Sequence, residues 1–147
     1  MHNWMATEKE LIKREEGMSL TPYKDDLGNW SIGYGHHDKY VGKHTQEMSR
    51  EHVEQMFNDD FNRALGIAIE LYPEFFNLTD ARKGALVHMA FQLGEGGMAS
   101  FKSTLRLMAT DNWIAAAYHI RHSKWAKQAP FRANRIAERI ESGNYRQ

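Results

Sequence analysis

Residues 16–36 read EGMSLTPYKDDLGNWSIGYGH, and this stretch decides how the rest of the chain is interpreted. It opens with a carboxylate and a glycine at the point where a helical pattern stops. It continues as two short β-like runs, Tyr23 to Asp26 and Trp30 to Tyr34. Gly28 in the join between the runs supplies the positive φ that a tight hairpin needs. A helix end followed by a hairpin can bring Glu16 and Asp25 to face each other across a small gap, which is the arrangement used in glycoside hydrolysis.

The composition describes one ordinary globular domain. A chain of 147 residues is long enough for a single core, and 41% hydrophobic with 26% charged residues is typical of a soluble protein. No apolar run approaches the roughly 20 residues that span a bilayer, and the N-terminus lacks the pattern of a signal peptide. The absence of cysteine excludes a disulfide scaffold and a thiolate site. We therefore expect one domain over residues 1–147.

The charge is balanced overall but divided along the chain. Residues 1–100 carry 10 Lys and Arg against 16 Asp and Glu, whereas residues 101–147 carry 9 against 3. This division favours an anionic partner for the C-terminal part, although solvated helix faces account for it equally well.

The hydrophobic periodicity predicts a mainly helical α+β fold. A capping box at Thr7 begins a short helix that ends near Gly17, and the hairpin strands follow. Helical spacing then predicts a long helix over residues 50–71, which connects a small β-rich lobe at about 14–48 to a helical lobe. The helical lobe comprises the N-terminal helix and residues 72–147, with a cleft between the lobes. Asp80 is the expected N-cap of its first helix, and the predicted helices are 81–93, about 104–108, 112–122 and 132–141.

Several residues remain open to more than one interpretation. Asp26 is a rival to Asp25, since only one of two adjacent strand residues can face a cleft. The group His36, His37, Asp38 and His44 has zinc-ligand chemistry, but solvated or hydrogen-bonded histidines explain it as well. His88 interrupts a buried helix and must therefore find a hydrogen-bond partner.

The basic C-terminal residues are a further candidate surface. They are Arg132, Arg135 and Arg139, with Lys124 and Lys127 upstream. Aromatic platforms and a strongly positive domain, which nucleic-acid binding requires, are not evident. Weak contact with an anionic cell envelope, or plain surface solvation, fits these residues better.

Three segments resemble one known family. Residues 16–36, then Ala85 to Glu95, then Ser123 to Arg135 are similar, in the same order, to the T-even bacteriophage lysozymes of glycoside hydrolase family 24. The resemblance implies a lysozyme-like fold and an N-acetylmuramidase that cuts the β-1,4 bond between N-acetylmuramic acid and N-acetylglucosamine in bacterial peptidoglycan.

The resemblance also implies roles for individual residues. Glu16 matches the general acid and Asp25 the second carboxylate, while Ser31 stands where the family usually has threonine. A serine keeps the hydroxyl that holds the attacking water but lacks the methyl that restricts its rotamer. The positions matching substrate contacts are Phe91, His37, Thr104 and His119. The positions surrounding the catalytic residues are Arg132, Gln92, Trp125, His88 and Tyr23, with Arg132 matching the arginine that pairs with the catalytic glutamate.

The expected protein is a monomeric phage endolysin that needs no metal or cofactor. An inverting mechanism would place the two carboxyl groups about 6.5–9.5 Å apart. The protein would fold in the host cytoplasm and would reach the wall only through a lesion made by a separate membrane-permeabilising protein. The alternatives are a lytic transglycosylase, a non-catalytic glycan-binding wall module, and a basic C-terminal helix that disrupts membranes without catalysis.

Overall fold

The computed structural model describes residues 3–145, which form seven α-helices, one 3₁₀ turn and one two-stranded antiparallel sheet. The elements are α1 (Trp4–Glu16), β1 (Ser19–Lys24), β2 (Trp30–Gly33), α2 (Arg50–Leu71), the 3₁₀ turn (Phe75–Asn77), α3 (Asp80–Ala99), α4 (Lys102–Ala109), α5 (Trp113–Arg121), α6 (Lys124–Gln128) and α7 (Pro130–Ser142). This confirms the predicted class, a lysozyme-like α+β fold that is mainly helical. Over residues 3–145, none of the helices has the length and apolar character needed to cross a membrane.

The chain packs as two compact units, and the boundary between them falls inside α2. One unit is Met5–Arg63, and the other comprises residues 64–145 with residues 3–4. The first buries Ile12, Ile32 and Phe57, each no more than 2% exposed. The predicted division into a small lobe, a connecting helix and a helical lobe stays a prediction.

Helix α1 ends as predicted but begins earlier. Gly17 follows the helix with φ +68°, and its N–H donates to the carbonyl oxygen of Lys13 at 2.9 Å. This left-handed residue closes the last turn, as glycine commonly does. The predicted capping box is wrong, since the helix already begins at Trp4 and Thr7 lies inside it. The ring of Trp4 packs against Phe75 with centroids 6.0 Å apart, and this contact favours the longer helix.

The hairpin has the predicted strands with shifted ends. Strand β1 begins at Ser19 rather than at Tyr23, and it pairs with β2 through Tyr23 opposite Ser31 and Lys24 opposite Trp30. Because β1 ends at Lys24, Asp25 lies in the turn, which corrects the expectation that it sits on a strand. The long helix over residues 50–71 is confirmed with the predicted bounds.

The unit of residues 64–145 is built around α3. Gly94 has φ +68° and ψ 179°, so the predicted break there is a kink within a helix that continues to Ala99. Thr79, not Asp80, is the N-cap, because its side chain accepts a hydrogen bond from the N–H of Arg82. Helices α4, α5 and α7 confirm the remaining predicted helices to within a few residues, whereas α6 forms where no helix was predicted. Gly143, with φ +76°, caps the end of α7.

Candidate active site

Glu16 is held at the end of α1 against the backbone of Gly35. It is the last residue of the helix, and its side chain is half-buried. A Cβ atom added to Gly35 would lie 2.5 Å from Oε2 of Glu16 and 3.2 Å from its Cδ. The chain can therefore approach the carboxylate this closely only with glycine at position 35, which also has φ +76°.

Asp25 is fixed by the hairpin turn. Its Oδ1 accepts hydrogen bonds from the N–H of Leu27 at 2.9 Å and from the N–H of Asn29 at 2.8 Å. The two N–H donors set the orientation of this carboxylate. Oδ2 has no hydrogen-bond partner among residues 3–145, so it can bind a water. Asp26 is exposed and receives no such support, and this difference favours Asp25 as the second carboxylate.

Ser31 lies on β2 with its hydroxyl buried. The residue is 1% exposed, and Oγ has no hydrogen-bond partner within the described chain. Buried hydroxyls normally have a partner, because leaving one unsatisfied costs about 1–3 kcal/mol. The strand pairing sets Ser31 opposite Tyr23, two residues before Asp25. Tyr23 itself is half-buried on β1, and its predicted role beside the catalytic residues stays a prediction.

A second set of contacts, which the sequence did not indicate, joins the elements around Glu16. Lys13 on α1 donates to Oε2 of Glu54 on α2 at 2.7 Å, and the hydroxyl of Tyr34 donates to Oε1 of the same carboxylate at 3.0 Å. The ammonium of Lys13 also lies 5.3 Å from the ring centroid of Tyr34 and 5.0 Å from that of Phe57. Tyr34 immediately precedes Gly35, so these contacts connect both backbone segments that flank the Glu16 carboxylate.

These contacts shift three pKa values. The hydrogen bond from Lys13 holds the pKa of Glu54 below its ordinary value. Burial opposes the charge on Lys13, but the hydrogen bond and charge of Glu54 outweigh it, so the pKa of Lys13 is raised. Burial, followed by the same carboxylate, raises the pKa of Tyr34. The lysine and glutamate are therefore an ion pair at neutral pH, and the tyrosine remains a neutral donor.

His36 forms an ion-paired cluster with carboxylates on both sides. Its Nδ1 lies 2.7 Å from Oδ2 of Asp60, and its Nε2 lies 2.9 Å from Oδ2 of Asp38. The hydrogen bond to Asp60 is the main cause of the raised pKa of His36, and the hydrogen bond from His36 lowers the pKa of Asp38. Arg63 adds a further contact to Asp60 at 3.1 Å.

The other histidines near this cluster do not form a metal site. Over residues 3–145, no group of three or more His, Cys, Asp and Glu is placed to hold a metal ion. His37 is exposed, and so is His44. The interpretation as hydrogen-bonded or solvated histidines therefore fits this segment, whereas a role for His37 in binding substrate stays a prediction.

In the unit of residues 64–145, two predicted neighbours of the site are linked to each other. The guanidinium of Arg132 on α7 donates through Nη1 to Oε1 of Gln92 on α3 at 2.9 Å, and both residues are half-buried. Phe91, also half-buried, precedes Gln92, and His88 is buried one turn earlier at 2% exposure.

Three further predicted residues line one pocket of this unit. Thr104 on α4, His119 on α5 and Trp125 on α6 contribute to a cavity of about 650 Å³. Thr104 is 3% exposed, and Trp125 is 6% exposed and meets Phe101 edge to face at 6.3 Å. A volume of this size lies in the range of about 300–1,000 Å³ that is usual for ligand sites.

The basic C-terminal residues do not form a continuous exposed surface. Arg139 is buried at 6% exposure, with its guanidinium 5.0 Å from the ring centroid of Tyr145. This corrects the expectation that it is solvated. Arg132 is engaged by Gln92, so an envelope contact would depend on Arg135, Lys124 and Lys127, and it stays a prediction.

The chain is similar to one known protein family and to several known proteins. Residues 13–139 match the protein family described as Phage lysozyme. The chain is similar to "Probable T4-type lysozyme 2" of Dictyostelium discoideum, with 32% identity over 95% of this chain and 96% of that protein. It is also similar to "Peptidoglycan hydrolase gp36" of Pseudomonas phage phiKMV, with 34% identity over 94% of this chain and 15% of that protein. A third similar protein is "Endolysin" of Acyrthosiphon pisum secondary endosymbiont phage 1, with 26% identity over 80% of this chain and 75% of that protein.

Proposed function

Because the chain belongs to the phage lysozyme family and is a glycoside hydrolase of the kind that degrades peptidoglycan, we propose that it hydrolyses the β-1,4 bond between N-acetylmuramic acid and N-acetylglucosamine. Three side chains would carry the reaction, and all three belong to the unit Met5–Arg63. Glu16 is the general acid that protonates the leaving oxygen. Asp25 is the base, and Ser31 helps to hold the attacking water.

The proposed chemistry follows from how each group is held. Asp25 receives two N–H donors on Oδ1, which fix its orientation, and it keeps Oδ2 for a proton of the water. Water then adds to the anomeric carbon as Glu16 gives its proton to the departing sugar oxygen. In this scheme the attack is direct, so the configuration at the anomeric carbon inverts.

The observation that supports this proposal most directly is the hydroxyl of Ser31. It is buried on the strand next to the Asp25 turn, and no described residue satisfies it. The oxygen is closed to solvent in this conformation, so the hydroxyl reaches a nucleophilic water only after a small shift of β2 or of its own rotamer. The hydroxyl of Ser31 would then position that water for Asp25. Ser31 would thereby have a role that packing alone does not require.

The test is the chemistry of the glycan ends released from purified peptidoglycan. We expect reducing ends that incorporate one ¹⁸O atom from labelled water, with the α-anomer appearing first by NMR. Anhydro ends without solvent oxygen would instead identify a lytic transglycosylase. A β-anomer as first product would refute inversion.

Matched variants assign the residues. Glu16→Gln and Asp25→Asn should each abolish detectable release of ends in folded protein, whereas Asp26→Asn should retain wild-type activity. Asp26→Asn removes the same charge as Asp25→Asn, but it does so at the neighbouring side chain, which is exposed. Full activity of a pure, folded Glu16→Gln protein would overturn the assignment and would favour a non-catalytic mode of action.

We further propose that the protein acts as an endolysin. On this view it is a monomer that accumulates in the host cytoplasm and reaches the wall after a separate protein permeabilises the membrane. The similar protein named "Endolysin" supports this role. In cells that express the chain alone, we expect lysis only after the membrane is permeabilised with chloroform, and lysis without treatment would contradict the requirement for a partner. Light scattering coupled to gel filtration tests the monomer.

A further inference from the structure

The turn that carries Gly35 is closed at its base and bears one large side chain. Ile32 and His36 pair through two backbone hydrogen bonds, each 2.9 Å long. Two of the three residues between them are glycines, so Tyr34 supplies the only side chain at the tip of the turn. The contacts of Tyr34 therefore determine how this tip is held.

The tip of the turn is attached to α2. Gly33 approaches this helix so closely that an added Cβ would lie 2.9 Å from Cε of Met56. The ring of Tyr34 meets that of Phe57 edge to face, with centroids 5.2 Å apart, and its hydroxyl donates to Oε1 of Glu54 at 3.0 Å. Because both the ring and the hydroxyl are engaged by one helix, the turn has little freedom to rotate.

Glu54 holds the last turn of α1 as well. Its Oε2 accepts a hydrogen bond from Nζ of Lys13 at 2.7 Å, so each oxygen of the carboxylate has its own donor. The carbonyl oxygen of Lys13 accepts from the N–H of Gly17, the residue after Glu16. Lys13 therefore belongs to the helical turn that carries the proposed general acid. One carboxylate on α2 thus sets the spacing between the end of α1 and the turn that contains Gly35.

This arrangement provides geometry more than stability. The side chains of Lys13 and Glu54 are 22% and 44% exposed, and ion pairs that water reaches add little to the free energy of unfolding. The Glu16 carboxylate, however, is carried by α1 and lies against the backbone of Gly35, where an added Cβ would fall 2.5 Å from its Oε2. A small change in the spacing of these two supports therefore changes where the carboxylate lies.

We propose that Tyr34 and Glu54 are positioning residues for Glu16. Through them, α2 keeps the Gly35 turn and the last turn of α1 at the spacing that holds the Glu16 carboxylate in place for proton donation. The inference rests on the proposed function, since it takes Glu16 as the general acid. In this role neither residue exchanges a proton with the substrate. Both act through the backbone beside Glu16, so their loss lowers kcat and leaves KM nearly unchanged.

The first test compares Tyr34→Phe with Tyr40→Phe. Tyr34→Phe removes only a hydroxyl and keeps the ring that packs on Phe57. We expect its kcat on a soluble peptidoglycan fragment to fall by about three- to tenfold, less than the roughly 100-fold that a displacement of about 1 Å can cause, with KM within about twofold of wild type. Tyr40→Phe removes the same group from a side chain that is 79% exposed, and it should keep wild-type kcat.

A second matched pair lies on α2. Glu54→Gln keeps the shape of the side chain but removes the charge that binds Lys13, and kcat should fall by a similar factor. Glu51→Gln removes the same charge from an exposed side chain three residues earlier, and it should leave kcat unchanged. Equal kcat values within both pairs, in an enzyme that Glu16→Gln inactivates, would overturn the inference.

A measurement without turnover separates this inference from the proposed function. The side-chain carboxyl carbon of Glu16 is observed by NMR in ¹³C-labelled protein and is assigned by its loss in Glu16→Gln. We expect this signal to move in Tyr34→Phe and Glu54→Gln and to stay in place in the two control variants. A signal that stays in place in all four variants would overturn the inference even if hydrolysis is normal. A signal that moves as expected, in a protein that releases no reducing ends, would refute the proposed function alone.

Discussion

Replacing Gly35 with alanine should separate catalysis from stability. The new Cβ would lie 2.5 Å from Oε2 of Glu16, whereas an ordinary contact of this kind is at least 3.4 Å. One of the two groups must therefore move by about 0.9 Å. The carboxylate is the distal end of a side chain with three rotatable bonds, so it gives way more readily than the backbone of the hairpin. The clash is therefore relieved mainly by displacing Glu16.

The expected costs differ greatly in size. The positive φ of Gly35 imposes about 1–2 kcal/mol of strain on any L-residue, which lowers the free energy of unfolding but leaves a folded protein. Displacement of a catalytic group by about 1 Å can reduce the rate as much as 100-fold. We therefore expect kcat of Gly35→Ala on purified peptidoglycan to fall by about 10- to 100-fold in protein that remains folded at 25 °C.

Gly17→Ala is the matched control. Gly17 has φ +68°, close to the +76° of Gly35, but a Cβ added there meets nothing within 4 Å. The two variants should lose similar stability in chemical denaturation, and Gly17→Ala should keep kcat within about twofold of wild type because its strain displaces no carboxylate. If folded Gly35→Ala matched the control in kcat, the backbone at position 35 would not position Glu16, and the reasoning would be refuted.

Three further outcomes follow from the contacts in the same unit. Ser31→Ala should leave the free energy of unfolding unchanged or raise it by up to about 1 kcal/mol, because the variant removes an unsatisfied hydroxyl. Its activity on peptidoglycan should fall at least about tenfold. Unchanged activity would remove Ser31 from the mechanism. The pKa of His36 is raised in the folded protein by its hydrogen bond to Asp60. This pairing therefore stabilises the fold fully below about pH 6.5, the ordinary pKa of histidine, and its contribution is lost as the pH rises through the raised pKa. Urea denaturation should show this decline in wild type and not in His36→Asn, and parallel curves would contradict it. In a double-mutant cycle of Lys13→Met and Glu54→Gln, the coupling free energy of unfolding should be about 0.5–1 kcal/mol. The value is this small because the side chain of Glu54 is 44% exposed. Additive effects of the two substitutions would show that the ion pair contributes nothing to stability.

The helices were predictable where a long amphipathic pattern had a clear stop. The apolar spacing in residues 50–71 and the proline at position 73 fixed both ends of α2, because few other conformations bury that stripe. The start of α1 was not predictable in the same way. A capping box at Thr7 is a local preference worth about 1 kcal/mol, and packing of the ring of Trp4 on Phe75 outweighs it.

The candidate site was predictable as a set of residue types but not as a set of contacts. The sequence placed Glu16 at a helix end, and the structure agrees, because Gly17 is a local signal. It did not identify Gly35 as the residue against the carboxylate, since that contact depends on how the hairpin returns toward α1. The same holds for His36: the sequence left zinc ligation and hydrogen bonding both open, and it did not indicate the partner Asp60, which lies 24 residues away on α2.

The two units carry separate sets of the predicted site residues. The three catalytic candidates lie between residues 16 and 31 and are held by contacts within Met5–Arg63, whereas the pocket of about 650 Å³ is formed entirely by residues 93–128. The catalytic candidates tolerate little change. Glu16 lies against Gly35, Asp25 is fixed by the hairpin turn, and the hydroxyl of Ser31 is buried. The pocket is instead lined in part by Tyr118 and His122. Both side chains are exposed, so replacing either one leaves no cavity in the core. The lining of this pocket on α5 and α6 can therefore change while the groups proposed to break the glycosidic bond stay as they are.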